Sequence, residues 1–133
     1  MQKSGILNAQ LRYLLARSGH RDRLALTDAG FNNPSGVELV DLAFLPNVPT
    51  ILQVLDGILE EFTVERVILA SEIETFAPEL LHEYRARFEP DIPMSFVPHS
   101  EFDLLMPQVK GVIRTGQYGL HAPNIIIEAG CTY

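Results

Sequence analysis

The sequence predicts an α/β fold, in which a single-domain sheet has helices packed on it. Short apolar runs, such as "RVILAS" over 66–71, have the length and uniform apolarity of strands buried in a sheet. Segments with apolar residues at helical spacing alternate with these runs along the chain. The 133 residues are 47% hydrophobic and contain neither an internal repeat nor a linker. We therefore expect one domain over residues 1–133 with one substantial core.

The first predicted element is a helix over 8–18. Asn8 is expected to be its N-cap, and Gly19 is expected to follow its last residue. The prediction rests on four leucines at helical spacing: Leu7, Leu11, Leu14 and Leu15.

The next elements follow in chain order. An apolar strand over 24–27 ends in the turn and loop chemistry of "DAG" and "NNPSG". Partial alternation predicts another strand over 37–44, and helical spacing predicts a helix over 51–62. The run over 66–71 then returns the chain to the sheet.

The second half of the chain continues this alternation. The pattern over 77–88 is typical of an exposed amphipathic helix. A short helix is predicted over 100–109, with Ser100 as its N-cap and Asp103 in a weak capping-box position. Strands are predicted for three further segments: 94–99, 111–116 and 124–130.

The charge balance and the cysteine content exclude several classes of function. The net charge is −7 and the ten basic residues are scattered, which disfavours nucleic acid or an anionic membrane surface as a partner. Cys131 is the single cysteine, so neither an intrachain disulfide nor a multi-cysteine zinc site can form. No apolar run has the length of a signal peptide core or a membrane span. We expect a cytoplasmic protein.

Motifs for metals, cofactors and covalent nucleophiles are absent from the sequence. There is no HxxxH, HxH or HExxH spacing, no GxGxxG or P-loop pattern, and no GxSxG. We therefore expect no cofactor and no metal. A zinc site assembled from His20, His99 and Asp28 is the weaker alternative.

Several polar residues lie near strand ends, where ligands of α/β sheets usually bind. Asp28 follows the strand over 24–27, His99 follows "MSFVP", and the loop over 115–124 joins the last two strands. His20 lies just beyond the first helix. Taken alone, His20 fits an interaction with the helix C-terminus and Asp28 fits a turn, so position alone does not establish a function.

The other histidines and Asn124 have similarly open interpretations. His82 lies on the exposed helix and is interpreted as a surface residue. His99 fits the start of a helix, and Asn124 fits a turn before the last strand. His121 lies in a loop with glycine and proline, and its role is left open.

Segments along nearly the whole chain together carry a resemblance to a known family. They include "GILNAQL", "GHRDRLALTDAGF", "FVPHSEF", "GVIRTGQ" and "NIIIEAGCTY". With this spacing, the sequence resembles the D-ribose pyranase and L-fucose mutarotase family. "DAG" is typical of the ribose branch, whereas the fucose branch tends to read "DAH", so the resemblance is closer to the ribose branch.

The resemblance implies a fold, an assembly and an activity. It implies a D-ribose pyranase-like subunit that assembles into a homo-oligomer, either a pentameric ring or a decamer. It also implies an isomerase that interconverts ring forms of a free monosaccharide through the open-chain form. The expected pair is β-D-ribopyranose and β-D-ribofuranose, and the family needs neither a cofactor nor a metal.

The resemblance also implies roles for individual residues. His20 matches the proton donor, and Asp28, His99 and Asn124 match sugar-binding positions. The family usually has a tyrosine two residues before the asparagine, whereas this chain has Ala122 there and a loop one residue longer. Two side chains are candidates to fill that space and bind the sugar: Tyr118 and His121.

These residue types suit the implied chemistry. Opening a sugar ring requires one proton to leave the anomeric hydroxyl and one to reach the ring oxygen. A histidine that titrates near neutral pH can do both. Carboxylate, imidazole and amide groups supply the donors and acceptors that hydroxyls need.

Three other functions are compatible with the sequence. One is an L-fucose-type mutarotase or an enzyme for another sugar. Another is a non-catalytic sugar-binding protein associated with a transporter, and the third is a purely structural interaction protein. Convergence of His20, Asp28, His99 and Asn124 on one cleft would discriminate against the third.

Overall fold

The computed structural model describes residues 1–133. It confirms the predicted α/β architecture, in which helices pack on a single six-stranded sheet. The strands are β1 (Arg23–Thr27), β2 (Glu38–Asp41), β3 (Val64–Ala70), β4 (Met94–Val97), β5 (Gly111–Arg114) and β6 (Ile125–Ala129). The helices are α1 (Ala9–Ala16), α2 (Ile51–Leu59), α3 (Ile73–Phe76), α4 (Pro78–Arg87) and α5 (His99–Leu105), and a 3₁₀ turn over Met106–Gln108 follows α5. None of the helices combines the length and the apolarity needed to cross a bilayer.

The strand directions decide where loops meet. The order across the sheet is β2-β5-β1-β6-β3-β4. All neighbours run parallel except β6, which is antiparallel to both β1 and β3. The carboxyl ends of five strands and the amino end of β6 therefore lie at one end of the sheet. We call it the carboxyl end, and the opposite one the amino end.

The sheet separates two apolar layers. Successive strand side chains point to opposite faces, so Leu24 and Leu26 join one layer while Ala25 joins the other. The larger layer packs under α1, α2 and α4. The smaller layer packs under α5 and the 3₁₀ turn through Phe102 and Met106. The inner strands β1, β3 and β6 are thus covered on both faces, which explains their buried apolar runs. The edge strand β2 buries only Val40.

The start of α1 confirms the predicted cap, but its end differs from the prediction. The Asn8 Oδ1 accepts a hydrogen bond of 2.9 Å from the N–H of Leu11. The helix ends at Ala16 with Arg17 as its C-cap, so Gly19 lies beyond the cap region. There the Gly19 N–H donates to the Asp22 carboxylate, in the turn that leads into β1.

The predicted cap of the helix over 100–109 was wrong. Helix α5 begins at His99 after Pro98, and no side chain of its own segment caps it. The carboxylate of Glu72, 27 positions earlier, accepts from the His99 N–H instead. A local pattern cannot reveal an acceptor that comes from a segment far away in the sequence. Glu72 is itself the N-cap residue of α3, a helix of four residues that was not predicted from the sequence.

In each of two ion pairs near strand ends, the basic side chain lowers the pKa of the aspartate. The hydrogen bond from the Lys110 ammonium has the largest effect on Asp22 and the bond from the Gly19 N–H the next largest. Together they hold the pKa of Asp22 below its usual value. The Arg114 guanidinium, which joins β5 to β2, does the same for the pKa of Asp41. Both carboxylates are more than a third exposed, so solvent screening limits each pair to about 0.2–1 kcal/mol.

We expect these pairs to make the free energy of unfolding fall in acid. Because the folded-state pKa values of Asp22 and Asp41 are depressed, their contribution is present above pH 3.8 and is lost as pH falls through the folded values. Urea unfolding of Asp22→Asn and Asp41→Asn should show a loss of about 0.2–1 kcal/mol at neutral pH and less in acid. Asp91→Asn, at an exposed aspartate without an ionic partner, is the control. An equal loss at both pH values would contradict the expectation.

Candidate functional site

An open cleft of about 530 Å³ lies at the carboxyl end of the sheet. This volume falls within the range of about 300–1,000 Å³ that small-molecule sites occupy. Its walls come from the loop after β1, the start of α5 and the loop before β6. The polar lining residues are Asp28, Asn32, His99, Asp103, His121 and Asn124.

Asp28 and Asn124 are joined across two neighbouring strands. Asn124, which is 5% exposed, accepts a hydrogen bond of 2.8 Å at Oδ1 from the Asp28 N–H. The Asp28 Oδ1 in turn accepts from the Gly30 N–H at 2.9 Å. These bonds leave the Asp28 Oδ2 and the Asn124 Nδ2 without protein partners in the cleft. One acceptor and one donor are thus available to the hydroxyls of a ligand.

His99 is held at two points by carboxylates. Its backbone N–H donates to both carboxylate oxygens of Glu72, at 3.1 and 3.0 Å. Its ring Nδ1 lies 3.3 Å from the Asp103 Oδ2, one helical turn later. The His99 N–H is also the main reason why the pKa of Glu72 lies below its usual value. The ring Nε2 has no protein partner and remains available in the cleft.

His121 and Ala122 form the third wall. Ala122 is buried and has a left-handed backbone with φ of 54°, which turns the chain sharply before β6. The His121 ring meets the Phe76 ring edge-on, with centroids 4.9 Å apart. Behind this loop, the buried Tyr84 hydroxyl donates to the Pro123 carbonyl at 2.6 Å, and burial raises the pKa of that phenol. The loop is therefore anchored on both sides.

The structure places His20 at the amino end of the sheet, away from the cleft. His20 precedes β1 and Asp28 follows it, and the strand between them spans about 13 Å. The His20 Nε2 lies 2.8 Å from the Glu65 Oε2, and the side chain is 48% exposed. One monosaccharide cannot touch His20 and Asp28 of the same chain.

Tyr118 also lies outside the cleft of its own chain. It is 64% exposed, and its N–H donates to the Asn47 Oδ1 at 3.0 Å. The structure thus brings together five of the seven sequence-predicted site residues and leaves two apart. Those in the cleft are Asp28, His99, His121, Ala122 and Asn124.

The alternative zinc site is excluded within one chain. His20 is at the other end of the sheet from Asp28 and His99, so the three cannot share a metal ion. No group of three or more histidine, cysteine, aspartate or glutamate side chains in the chain is placed to ligate a metal.

Sequence reasoning missed one residue of the cleft and one residue outside it that contacts His99. Asp103 was interpreted as part of a cap, although its i,i+4 spacing from His99 could have suggested a pair on one helix face. Glu72 carries no local signal, because its contact with His99 depends on the pairing of β3 with β4.

Comparisons with known proteins agree on one family. The model of the RbsD / FucU transport protein family matches residues 1–132. A relative from Geobacillus thermodenitrificans, named D-ribose pyranase, is 41% identical over all of this chain and 99% of its own length. A second D-ribose pyranase, from Lactiplantibacillus plantarum, is 38% identical over the full length of both chains.

Solved structures confirm the fold. RbsD of Bacillus subtilis, complexed with D-ribose, superposes with a TM-score of 0.94 at 36% identity, covering 100% of both chains. The fucose mutarotase of Streptococcus pneumoniae, in complex with L-fucose, gives a TM-score of 0.77 at 16% identity, covering 96% of this chain and 95% of its own. At that identity the second likeness concerns the fold alone.

Proposed function

Because the chain belongs to the RbsD / FucU transport protein family, we propose that it is an isomerase that interconverts β-D-ribopyranose and β-D-ribofuranose. The observation that carries the proposal is the convergence of Asp28, His99 and Asn124 on one cleft. Relatives at 38–41% identity named D-ribose pyranase favour ribose over fucose. The neighbour that holds L-fucose is much more distant in sequence.

The proposed reaction breaks one carbon–oxygen bond and forms another. A base removes the proton of the anomeric hydroxyl, while an acid protonates the ring oxygen, so the pyranose opens to the aldehyde. The hydroxyl on carbon 4 then attacks the aldehyde carbon and gives up its proton to a base, while an acid protonates the aldehyde oxygen, so the furanose closes with a new anomeric hydroxyl. In this chain, Asp28 and Asn124 bind hydroxyls and hold the open chain in a conformation that can close again. No redox partner or cofactor is needed.

We propose that the proton donor is His20 of the partner subunit in a homo-oligomer. His20 is half exposed, contacts Glu65 and does not line the cleft of its own chain. A site between the amino end of one copy and the carboxyl end of the next would supply both His20 and Asp28. A head-to-tail contact gives a ring where the rotation between copies closes, and the expected pentamer or decamer would be such a ring.

The charges of the two ends support this contact. The surface concavity next to Glu65 is lined by three arginines and two glutamates: Arg21, Arg23, Arg66, Glu65 and Glu128. The cleft is lined by Asp28 and Asp103, with no lysine or arginine. This concavity therefore carries an excess of one positive charge, whereas the cleft carries negative charge, which favours their association. A cytoplasmic location completes the proposal.

Saturation-transfer NMR on a panel of free sugars tests the proposed function. We expect the protein to accelerate exchange between ribopyranose and ribofuranose resonances more than exchange between L-fucose anomers. Heat-denatured protein is the control for uncatalysed exchange. Fastest exchange with L-fucose would identify a mutarotase instead. Line broadening by bound ribose without any acceleration would identify a non-catalytic sugar-binding protein.

A further inference from the structure

Two residues outside the cleft each contact a histidine inside it. Glu72 accepts the His99 N–H at both carboxylate oxygens, and Phe76 packs edge-on against the His121 ring at 4.9 Å between centroids. Neither Glu72 nor Phe76 lines the cleft. The two histidines themselves come from different segments, α5 and the loop before β6.

Both outside residues belong to one helical turn. Glu72 is the N-cap residue of α3 and Phe76 is its last residue, and the Phe76 N–H donates to the Glu72 carbonyl at 2.9 Å. Four helical steps separate them by about 6 Å along the axis. The distance between the backbone positions of these two residues is therefore set by a hydrogen bond within the helical turn.

The turn is itself fixed to the core. Ile73 is fully buried among the residues of the larger apolar layer, and Ala77 directly after the turn is 4% exposed. The Ser71 N–H donates to the Val97 carbonyl at 2.7 Å, which continues the pairing of β3 with β4 up to α3. The turn thus has little freedom to move relative to the sheet.

We propose that α3 and its N-cap residue form a brace that sets the separation of the two cleft imidazoles, with Glu72 and Phe76 as positioning residues. The backbone N–H of His99 is the first of α5 and has no intrahelical partner. Glu72 accepts from this N–H and so fixes the position of the start of α5. Phe76 restricts the orientation of the His121 ring. The inference rests on the proposed function insofar as these imidazoles bind the hydroxyls of the sugar.

The brace has a measurable consequence for the rate. A misplacement of about 1 Å in a positioned group can lower a rate up to about 10²-fold. Releasing Glu72 moves the start of α5, so Glu72→Ala should lower kcat about tenfold or more, with a smaller change in KM. Glu72→Gln keeps one carbonyl oxygen that can accept the His99 N–H, so it should recover most of that loss.

The experiment combines ring-interconversion kinetics with the side-chain NMR resonances of the histidines. Glu72→Ala should shift the His99 ring resonances, and Phe76→Ala should shift those of His121. His82, on the exposed face of α4, is the internal reference for Glu72→Ala. It lines a surface pocket together with Phe76, so it is not a reference for Phe76→Ala. Glu74→Gln removes an exposed carboxylate from the same short helix and is the matched control.

The outcomes separate the brace from the proposed function. Unchanged kcat and unchanged His99 resonances in Glu72→Ala would overturn the brace, as would an equal effect of Glu74→Gln. If wild-type protein accelerates no sugar exchange, the proposed function fails, and the histidine resonances alone then decide for or against the brace.

Discussion

Replacing His20 with alanine is expected to lower the rate of ribose ring interconversion by about 10²–10⁴-fold, the usual contribution of one positioned acid or base. The fold should persist, because His20 is half exposed and its contact with Glu65 is a surface pair. Saturation-transfer NMR measures the exchange rate, and circular dichroism and light scattering check fold and assembly. An unchanged exchange rate would remove His20 from the mechanism.

Mixing variants tests whether His20 acts in the site of another copy. His20→Ala and Asp28→Asn should each be inactive, yet subunit exchange between them should restore activity. If each site takes His20 and Asp28 from two different copies, about a quarter of the sites in an equal mixture are intact. Asp28→Asn mixed with Asn124→Ala is the control, because every cleft then carries a defect.

Two results would contradict the arrangement in trans. One is a mixture of His20→Ala and Asp28→Asn that stays inactive although light scattering shows mixed oligomers. The other is a fully active wild-type protein that remains monomeric at micromolar concentration, because a lone chain keeps His20 and Asp28 at opposite ends of β1.

The second large effect is expected for Asn124→Ala, on both stability and sugar binding. The substitution leaves the Asp28 N–H without its acceptor in a partly buried place, which costs about 1 kcal/mol, the lower end of the range for buried donors. It also removes the free Nδ2 from the cleft and loosens the end of β1 that carries the Asp28 carboxylate. Ribose affinity should therefore fall together with the free energy of unfolding.

Urea unfolding and ribose titration by NMR measure the two effects of Asn124→Ala. Asn32→Ala is the control for stability, because Asn32 lines the same cleft but is exposed and makes no hydrogen bond within the chain. Equal unfolding free energies for the Asn124 and Asn32 variants would show that the bond to the Asp28 N–H contributes nothing.

The cleft was partly predictable because the sequence places Asp28, His99 and Asn124 next to strand ends. Asp28 and His99 follow parallel strands, and Asn124 precedes an antiparallel one, so all three reach the same end of the sheet. The same reasoning applied to His20 would have separated it from Asp28, since one residue precedes β1 and the other follows it. The resemblance to the ribose pyranase family grouped them without specifying how many chains contribute to a site.

The secondary-structure elements, too, were only partly predictable from the sequence. The helices α1 and α2 and the six strands were predicted because each carries its own periodicity and turn residues. Helix α3 and the start of α5 were not, because α3 has four residues and α5 takes its capping acceptor from Glu72 on another segment. Short elements have too little periodicity of their own to be recognised.

By itself, the amino-acid sequence determined the α/β class and the succession of strands and longer helices, whereas the residues proposed to carry the chemistry came from the resemblance to a known family. The class and the succession depend on hydrophobic spacing, local turn chemistry and side-chain types, all of which lie along the chain. The tertiary structure alone decided that Asp103 faces His99 within the cleft, that Glu72 and Phe76 contact its histidines, and that His20 lies at the other end of the sheet. Such contacts depend on strand order and register, which are set by packing between segments far apart in the chain.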